Sequence, residues 1–267
     1  MTALAWWGVL ATGAVAGVLA GMLGIGGGAI VVPALLWLLG TADAADPWLA
    51  QRAIATSLAA IVGTGVAATL AHQRQGAIQW RLCGQLLPGL LLGAWLGAAL
   101  AGVLPGGWLR RLFGAFLLYT GVLMLRPVAT VRTVPWPGRG TVALAGGAIG
   151  ALSALLGIGG GTLTVPYLLR HGVALRAAVA TSSAGGVAIA LAGVAGFAFH
   201  GWSRTDLPAH SLGFVYWPAA LVILLASVPA AAFGARLAHR LPVATLKRAF
   251  ALLLLLVGLR LLTLAGG

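Results

Sequence analysis

The stretch Gly17–Leu36, GVLAGMLGIGGGAIVVPALL, decides how this chain is read, because it returns 133 residues later as Gly150–Leu169, GALSALLGIGGGTLTVPYLL. Both copies keep the core GIGGG and a proline five residues after it. A Gly-rich turn in a soluble protein would suggest a phosphate cradle. Here, though, GIGGG lacks the final spacing of a G-x-G-x-x-G fingerprint, follows no strand, and is not accompanied by G-x-x-x-x-G-K-S/T. Both copies lie instead inside long apolar stretches without a charged residue.

Working outward, the 267 residues are 61% hydrophobic and only 7% charged, with a mean hydropathy of +1.04. Soluble domains carry about a quarter charged residues, so this composition belongs to an all-α integral membrane protein. Eight apolar segments follow one another, near Trp6–Leu39, Ala50–Ala71, Leu82–Val103, Leu112–Leu125, Thr141–Leu169, Ala174–Phe199, Leu212–Ala235 and Ala249–Leu264. They divide as four plus four. The later parts of the halves also align, Gly97 with Gly234, Leu104-Pro105 with Leu241-Pro242 and Phe113 with Phe250. The chain therefore reads as two homologous halves of one membrane domain, residues 1–128 and 129–267, with a linker near 126–140.

The first segment of each half is too long. A straight helix over Trp6–Leu39 would measure about 50 Å against a hydrocarbon core of about 30 Å. It must break or turn back, and the break belongs at Gly26-Gly27-Gly28 and Gly159-Gly160-Gly161, since consecutive glycines are poor helix formers. Pro33 and Pro166 add a kink. Non-helical backbone at membrane depth is tolerated where it is buried in protein or lines a cavity, and paired broken helices point to a transport site. The competing use of glycine, close helix packing, fits Gly13, Gly17 and Gly21.

The formal charge of +13 comes from sixteen Lys and Arg against Asp43, Asp46 and Asp206, all three in expected loops. The basic residues are spread over many short loops, which fits lipid headgroups at helix ends rather than nucleic acid. Assigned to alternate sides of eight spans they divide nine to seven, which places both termini outside. Six of the ten tryptophans, Trp48, Trp80, Trp108, Trp136, Trp202 and Trp217, fall in or beside loops as an interfacial belt. Cys83 is the only cysteine, so no internal disulfide or Cys-based metal site can form. The five histidines lie near segment ends without metal-ligand spacing, no cofactor is implied, and no acid is placed to orient a Ser–His pair, so an enzyme is not expected.

An anion held between the breaks would meet the N–H groups of Gly26, Gly27, Gly28, Gly159, Gly160 and Gly161 and the positive ends of the half-helices that follow. Thr162 and Thr164 could add hydroxyls, or could bond carbonyls of their own helix. A second shared motif opens the next helix of each half: Arg52 then Thr56-Ser57, and Arg176 then Thr181-Ser182-Ser183. Spacings of four and five residues put each arginine on the face of its hydroxyls, while the alternative for both is snorkelling to the headgroups. Without an intramembrane carboxylate, outward movement of one negative charge releases about 2.3 kcal/mol per 100 mV, so anion export needs no coupling ion, and uptake would need H⁺ or Na⁺.

These paired Gly-rich segments, the Thr-Ser helices and the duplicated body resemble the sulfite exporter TauE/SafE family of membrane permeases over nearly the whole chain. The resemblance implies transport of sulfur-containing anions, such as sulfite or organosulfonates, across the bacterial inner membrane. The expectation is a multi-pass permease whose partners are a small anionic solute and the lipid bilayer, with an exporter favoured. An ion-coupled uptake permease and a non-transporting scaffold stand as alternatives.

Overall fold

The computed structural model describes residues 3–23, 27–42, 46–125, 134–238 and 243–264. Among these residues the chain forms ten helices and one short hairpin: α1 (Ala3–Leu23), α2 (Gly28–Ala42), α3 (Leu49–Arg74), α4 (Trp80–Val103), α5 (Gly106–Leu125), α6 (Arg139–Leu156), α7 (Gly161–Arg170), α8 (Leu175–Gly201), β1 (Ser211–Leu212), β2 (Val215–Tyr216), α9 (Trp217–Ala238) and α10 (Val243–Leu264). Seven of them, α1, α3, α4, α5, α6, α8 and α9, are long and apolar enough to cross a membrane. The protein is an all-helical integral membrane protein. The six belt tryptophans stand at or beside helix ends, as their loop positions require.

Each overlong apolar segment is two helices that fold back on one another. Val134, just before α6, donates its N–H to Arg170 O at the end of α7 (2.9 Å), and Trp136 meets the rings of Tyr167 and His171 at 6.1 and 5.4 Å. The start of α6 and the end of α7 therefore share one face. In the other pair, a Cβ added to Gly8 near the start of α1 would lie 2.6 Å from Leu38 near the end of α2. Of the two outcomes open to each overlong segment, a break or a return, both take the return and form hairpins.

The helices between them fix the two ends of the molecule. α3 and α8 pack antiparallel, with Leu58 against Gly193, Gly65 against Val187, and Arg176 Nη2 donating to Gln75 Oε1 at 3.0 Å. The α1–α2 hairpin opens at the end where α3 begins, because Trp6 stacks on Tyr216 and Trp48 meets Phe214. The α6–α7 hairpin opens at the opposite end, where Trp136 Nε1 donates to Gln85 Oε1 near the start of α4. We name these the Trp48 end and the Trp80 end.

Lipid supplies no hydrophobic drive between helices, so close backbone approach holds them together. A Cβ on Gly17 would overlap the carbonyl of Ser227 in α9, and one on Gly150 in α6 would overlap the carbonyl of Leu90 in α4. One turn earlier, Gly13 would meet Ile223 O at 2.8 Å and Gly146 would meet Leu86 O at 2.7 Å. The packing use of Gly13 and Gly17 is thus realised, against α9. The main helix pairings are kept when α1–α5 are exchanged with α6–α10: α1 on α9 answers α6 on α4, while α3–α8 and α5–α10 answer themselves.

Candidate functional site

The second break is built from glycine backbone. α6 ends at Leu156 and Gly157 takes φ +65°, a left-handed conformation that turns the chain out of the helix. Its N–H returns to Ala154 O (3.2 Å), that of Ile158 returns to Ser153 O (3.0 Å), and the Gly157 carbonyl accepts from Ser57 Oγ on α3 at 2.8 Å. At Gly160 the chain starts a new helix, the carbonyl accepting from Leu163 N (3.3 Å) and Thr164 N (2.8 Å). The first break caps α2 in the same way, with Gly27 O accepting from Ile30 N and Val31 N at 3.0 Å each. Gly26 lies outside the described residues.

The two breaks touch beside the stretch of α3 from Ile54, which Gly157 faces, to Ile61. A Cβ on Gly28 would come within 2.5 Å of Gly157 O and 2.8 Å of Ile158 Cα. The same added atom would lie 3.2 Å from Ile61, and one on Gly159 would lie 3.6 Å from it. Ile61 is at the middle of the 26-residue α3. Gly160 faces Gly186 and Ile189, at the middle of α8. Residues 157–160 are all buried.

The chemistry of this meeting point favours an anion. The first N–H groups of α2 (Gly28, Ala29) and of α7 (Gly161, Thr162) precede any intrahelical acceptor, and each helix start carries roughly half a positive charge. Thr162 Oγ1 and Thr164 Oγ1 are buried and bond nothing, so neither threonine is taken up by a carbonyl of its own helix. Thr164 is 1% exposed, and its Oγ1 lies 3.3 Å from where a Cβ would stand on Gly160. Ser153 Oγ, fully buried on the last turn of α6, is a third such hydroxyl, which the sequence motifs passed over. The signal was present: Ser153 occupies the place of Ala20 in the first copy. An unbonded buried hydroxyl costs about 1–3 kcal/mol, so three beside a Gly-rich break call for a partner.

The Arg and Thr-Ser motifs do not converge on this point. Arg52 lies at the Trp48 end, whereas Arg176 bonds Gln75 beyond the far end of α3, about 35 Å away along the helix. By the same register Thr56 and Thr181 differ in depth by about 20 Å. Thr56 Oγ1 accepts from Tyr216 N at 3.0 Å and Thr181 Oγ1 from Gln79 N at 3.0 Å, so each threonine anchors the chain entering α9 or α4. Ser182 Oγ and Ser183 Oγ both donate to Val179 O on their own helix, at 2.9 and 3.0 Å. Of this motif, Ser57 alone bonds a described break residue.

The two arginines also differ in kind. Arg176 is exposed, as a snorkelling residue would be, but Arg52 is 5% exposed and ion-paired with Asp46. Asp46 lies in the loop before α3, as read, with its side chain 6% exposed; its Oδ1 accepts from Trp48 N at 2.8 Å. Around the pair, the Arg52 guanidinium lies 5.6 Å from the Tyr216 ring, Arg204 lies 4.3 Å from Trp48, and Trp48 Nε1 donates to Asp206 Oδ2 at 2.7 Å. Sequence spacing offered no sign of this cluster, because its members come from three separate segments.

Known proteins bear on this geometry. Residues 9–261 match the sulfite exporter TauE/SafE family. The chain is 34% identical over 94% of its length, and 95% of the relative's, to a probable membrane transporter protein of Haemophilus influenzae. It is 28% identical to the probable membrane transporter protein YunE of Bacillus subtilis, over 94% of each chain. To the probable inner membrane transporter protein TsaS of Comamonas testosteroni it is 31% identical, over 69% of this chain and 72% of that one. No solved structure matches significantly.

Proposed function

This chain belongs to the sulfite exporter TauE/SafE family and is a multi-pass membrane transporter, and from that premise we propose that it exports a small sulfur-containing anion, sulfite or an organosulfonate, across the bacterial inner membrane. One observation carries the reading: the start of α2 meets the Gly157–Ile158 turn that leads into α7, on which Thr162 and Thr164 hold buried hydroxyls that bond nothing. An oxyanion suits a nest of backbone N–H groups and hydroxyls. In this reading Gly27, Gly28, Gly160, Gly161, Thr162 and Thr164 contact the solute, Ser57 holds the break, and Thr56 and Thr181 position the helices around it. The protein carries out no covalent chemistry on its cargo.

The exchange-symmetric packing supports reading residues 1–128 and 129–267 as repeats of opposite orientation. The arrangement of helix ends also strengthens the charge argument. Arg52, Arg110, Arg111, Arg204 and Arg260 belong to the Trp48 half of the molecule, whereas Arg74, Arg81, Arg139, Arg170, Arg176, Arg236, Lys247 and Arg248 belong to the Trp80 half. The Trp80 end is accordingly cytoplasmic and both termini are outside. The inner-membrane name of the Comamonas relative supports the choice of membrane.

The test is flux of radiolabelled sulfite from proteoliposomes under an imposed potential of either sign, without a pH or Na⁺ gradient. Potential-driven flux that doubles in charge dependence for a dianion supports uncoupled export. Flux appearing only with an H⁺ or Na⁺ gradient replaces it with coupled uptake. Absence of sulfite and sulfonate flux in folded protein removes this substrate class.

A further inference from the structure

We propose that the chain carries a binding slot for an anionic phospholipid of the leaflet at the Trp80 end, separate from the solute site. α8 packs against both α3 and α4, but α3 and α4 make few contacts with each other. The cleft between them forms an open groove of about 300 Å³, lined by Val66, Thr69 and Leu70 of α3, Cys83 and Gly84 of α4, and Val187 of α8. Its lining is almost wholly apolar. Its inner limit is set by Val187 at the middle of α8 and by Val66, about two turns before the end of α3, and its outer limit by Trp80 at the start of α4. The slot therefore extends over one leaflet and no more, which suits an acyl chain rather than a solute crossing the membrane.

The groups at its mouth suit a phosphate. Arg74 follows Leu70 by one turn on α3, Arg81 follows Trp80 on α4, and Arg176 is held to Gln75 in the turn between these helices. All three are exposed. Trp80 Nε1 donates to Gln73 Oε1 at 2.8 Å, fixing the indole across the entrance at interfacial depth. One turn inside lies Thr69 Oγ1, a buried hydroxyl that lines the slot and bonds nothing in the protein. This is the depth at which the ester carbonyl of a lipid follows its phosphate. Three guanidinium groups above a lone hydroxyl and an apolar channel match the order phosphate, ester and acyl chain.

The equivalent position of the other half carries a larger side chain. The repeat offset of 137 places Leu221 where Gly84 stands, and a Cβ on Gly84 would meet nothing within 4 Å. Gly84→Leu thus fills the slot with the residue of the other copy and leaves helix packing intact. Cys83, the only cysteine, is a built-in reporter inside the groove.

The experiment follows the rate of Cys83 modification by N-ethylmaleimide in detergent-purified full chain. Phosphatidylglycerol, phosphatidylcholine or glycerol phosphate is added, and lipid retention is read by native mass spectrometry. Phosphatidylglycerol should slow labelling at least fivefold where phosphatidylcholine does so less than twofold, and one lipid should be retained per chain. Arg81→Gln with Arg176→Gln should abolish that difference, and Gly84→Leu should lose the retained lipid while remaining monodisperse. Equal protection by phosphatidylcholine, or protection by glycerol phosphate alone, would overturn the proposal in favour of a non-selective groove or a free-anion site. If Gly84→Leu is not monodisperse, Gly84→Val replaces it, and retained lipid in that folded variant also overturns the slot.

Discussion

At the residue scale, two threonines that look alike in sequence have opposite jobs. Thr164 holds an unbonded hydroxyl at the break, so Thr164→Val removes a group the fold does not use. The variant should melt no lower than the parent, and its sulfite flux should fall about tenfold, a change of about 1.4 kcal/mol, with Thr164→Ser restoring it. Thr56 instead accepts the Tyr216 N–H, so Thr56→Val strands a buried donor and should cost about 1–3 kcal/mol of stability. Thermal melts beside flux assays separate the two, and a Thr164→Val chain with full transport removes that hydroxyl from the site. Sequence alone favoured the Thr-Ser pairs over Thr164, because a repeated motif is visible in one dimension and a hydrogen-bond partner 160 residues away is not.

At the element scale, the glycine breaks were legible because helix propensity and span length are local properties. Whether the chain continues through the membrane or returns was not legible, since both outcomes need the same apolar composition. The return is decided by contacts such as Val134 with Arg170 that join the start of one helix to the end of the next. Close packing was legible only as a stripe of small residues, without its partner. The structure makes that partner testable on the α4–α6 interface. A Cβ on Gly93 would overlap the carbonyl of Gly147, whereas one on Gly147 would reach no atom nearer than 4.0 Å. Alanine is favoured over glycine in a helix by up to about 1 kcal/mol, so the two substitutions should move stability in opposite directions. Gly93→Ala should lower the melting temperature and Gly147→Ala should hold or raise it, and equal effects would mean that α4 and α6 are not so closely apposed.

At the scale of the whole molecule, the antiparallel register of α3 and α8 sends Ser203 and Ala174 to opposite ends. In a Cys83→Ala background, Ser203→Cys should react with an impermeant maleimide added to intact cells, and Ala174→Cys only after lysis. The reverse pattern would invert the assigned orientation while leaving the fold untouched. The ends are also unequal in construction. The connection 75–79 at one end is a short turn held by the exposed Arg176, whereas the connection 202–216 at the other folds over a buried ion pair, an indole bond and a stacked guanidinium. Parting a buried ion pair without replacing its partners is costly, on the order of 3–5 kcal/mol. A carrier that must loosen both ends in turn will therefore wait unequally at them, its cycle paced by a heavy latch at the Trp48 end and a light one at the Trp80 end.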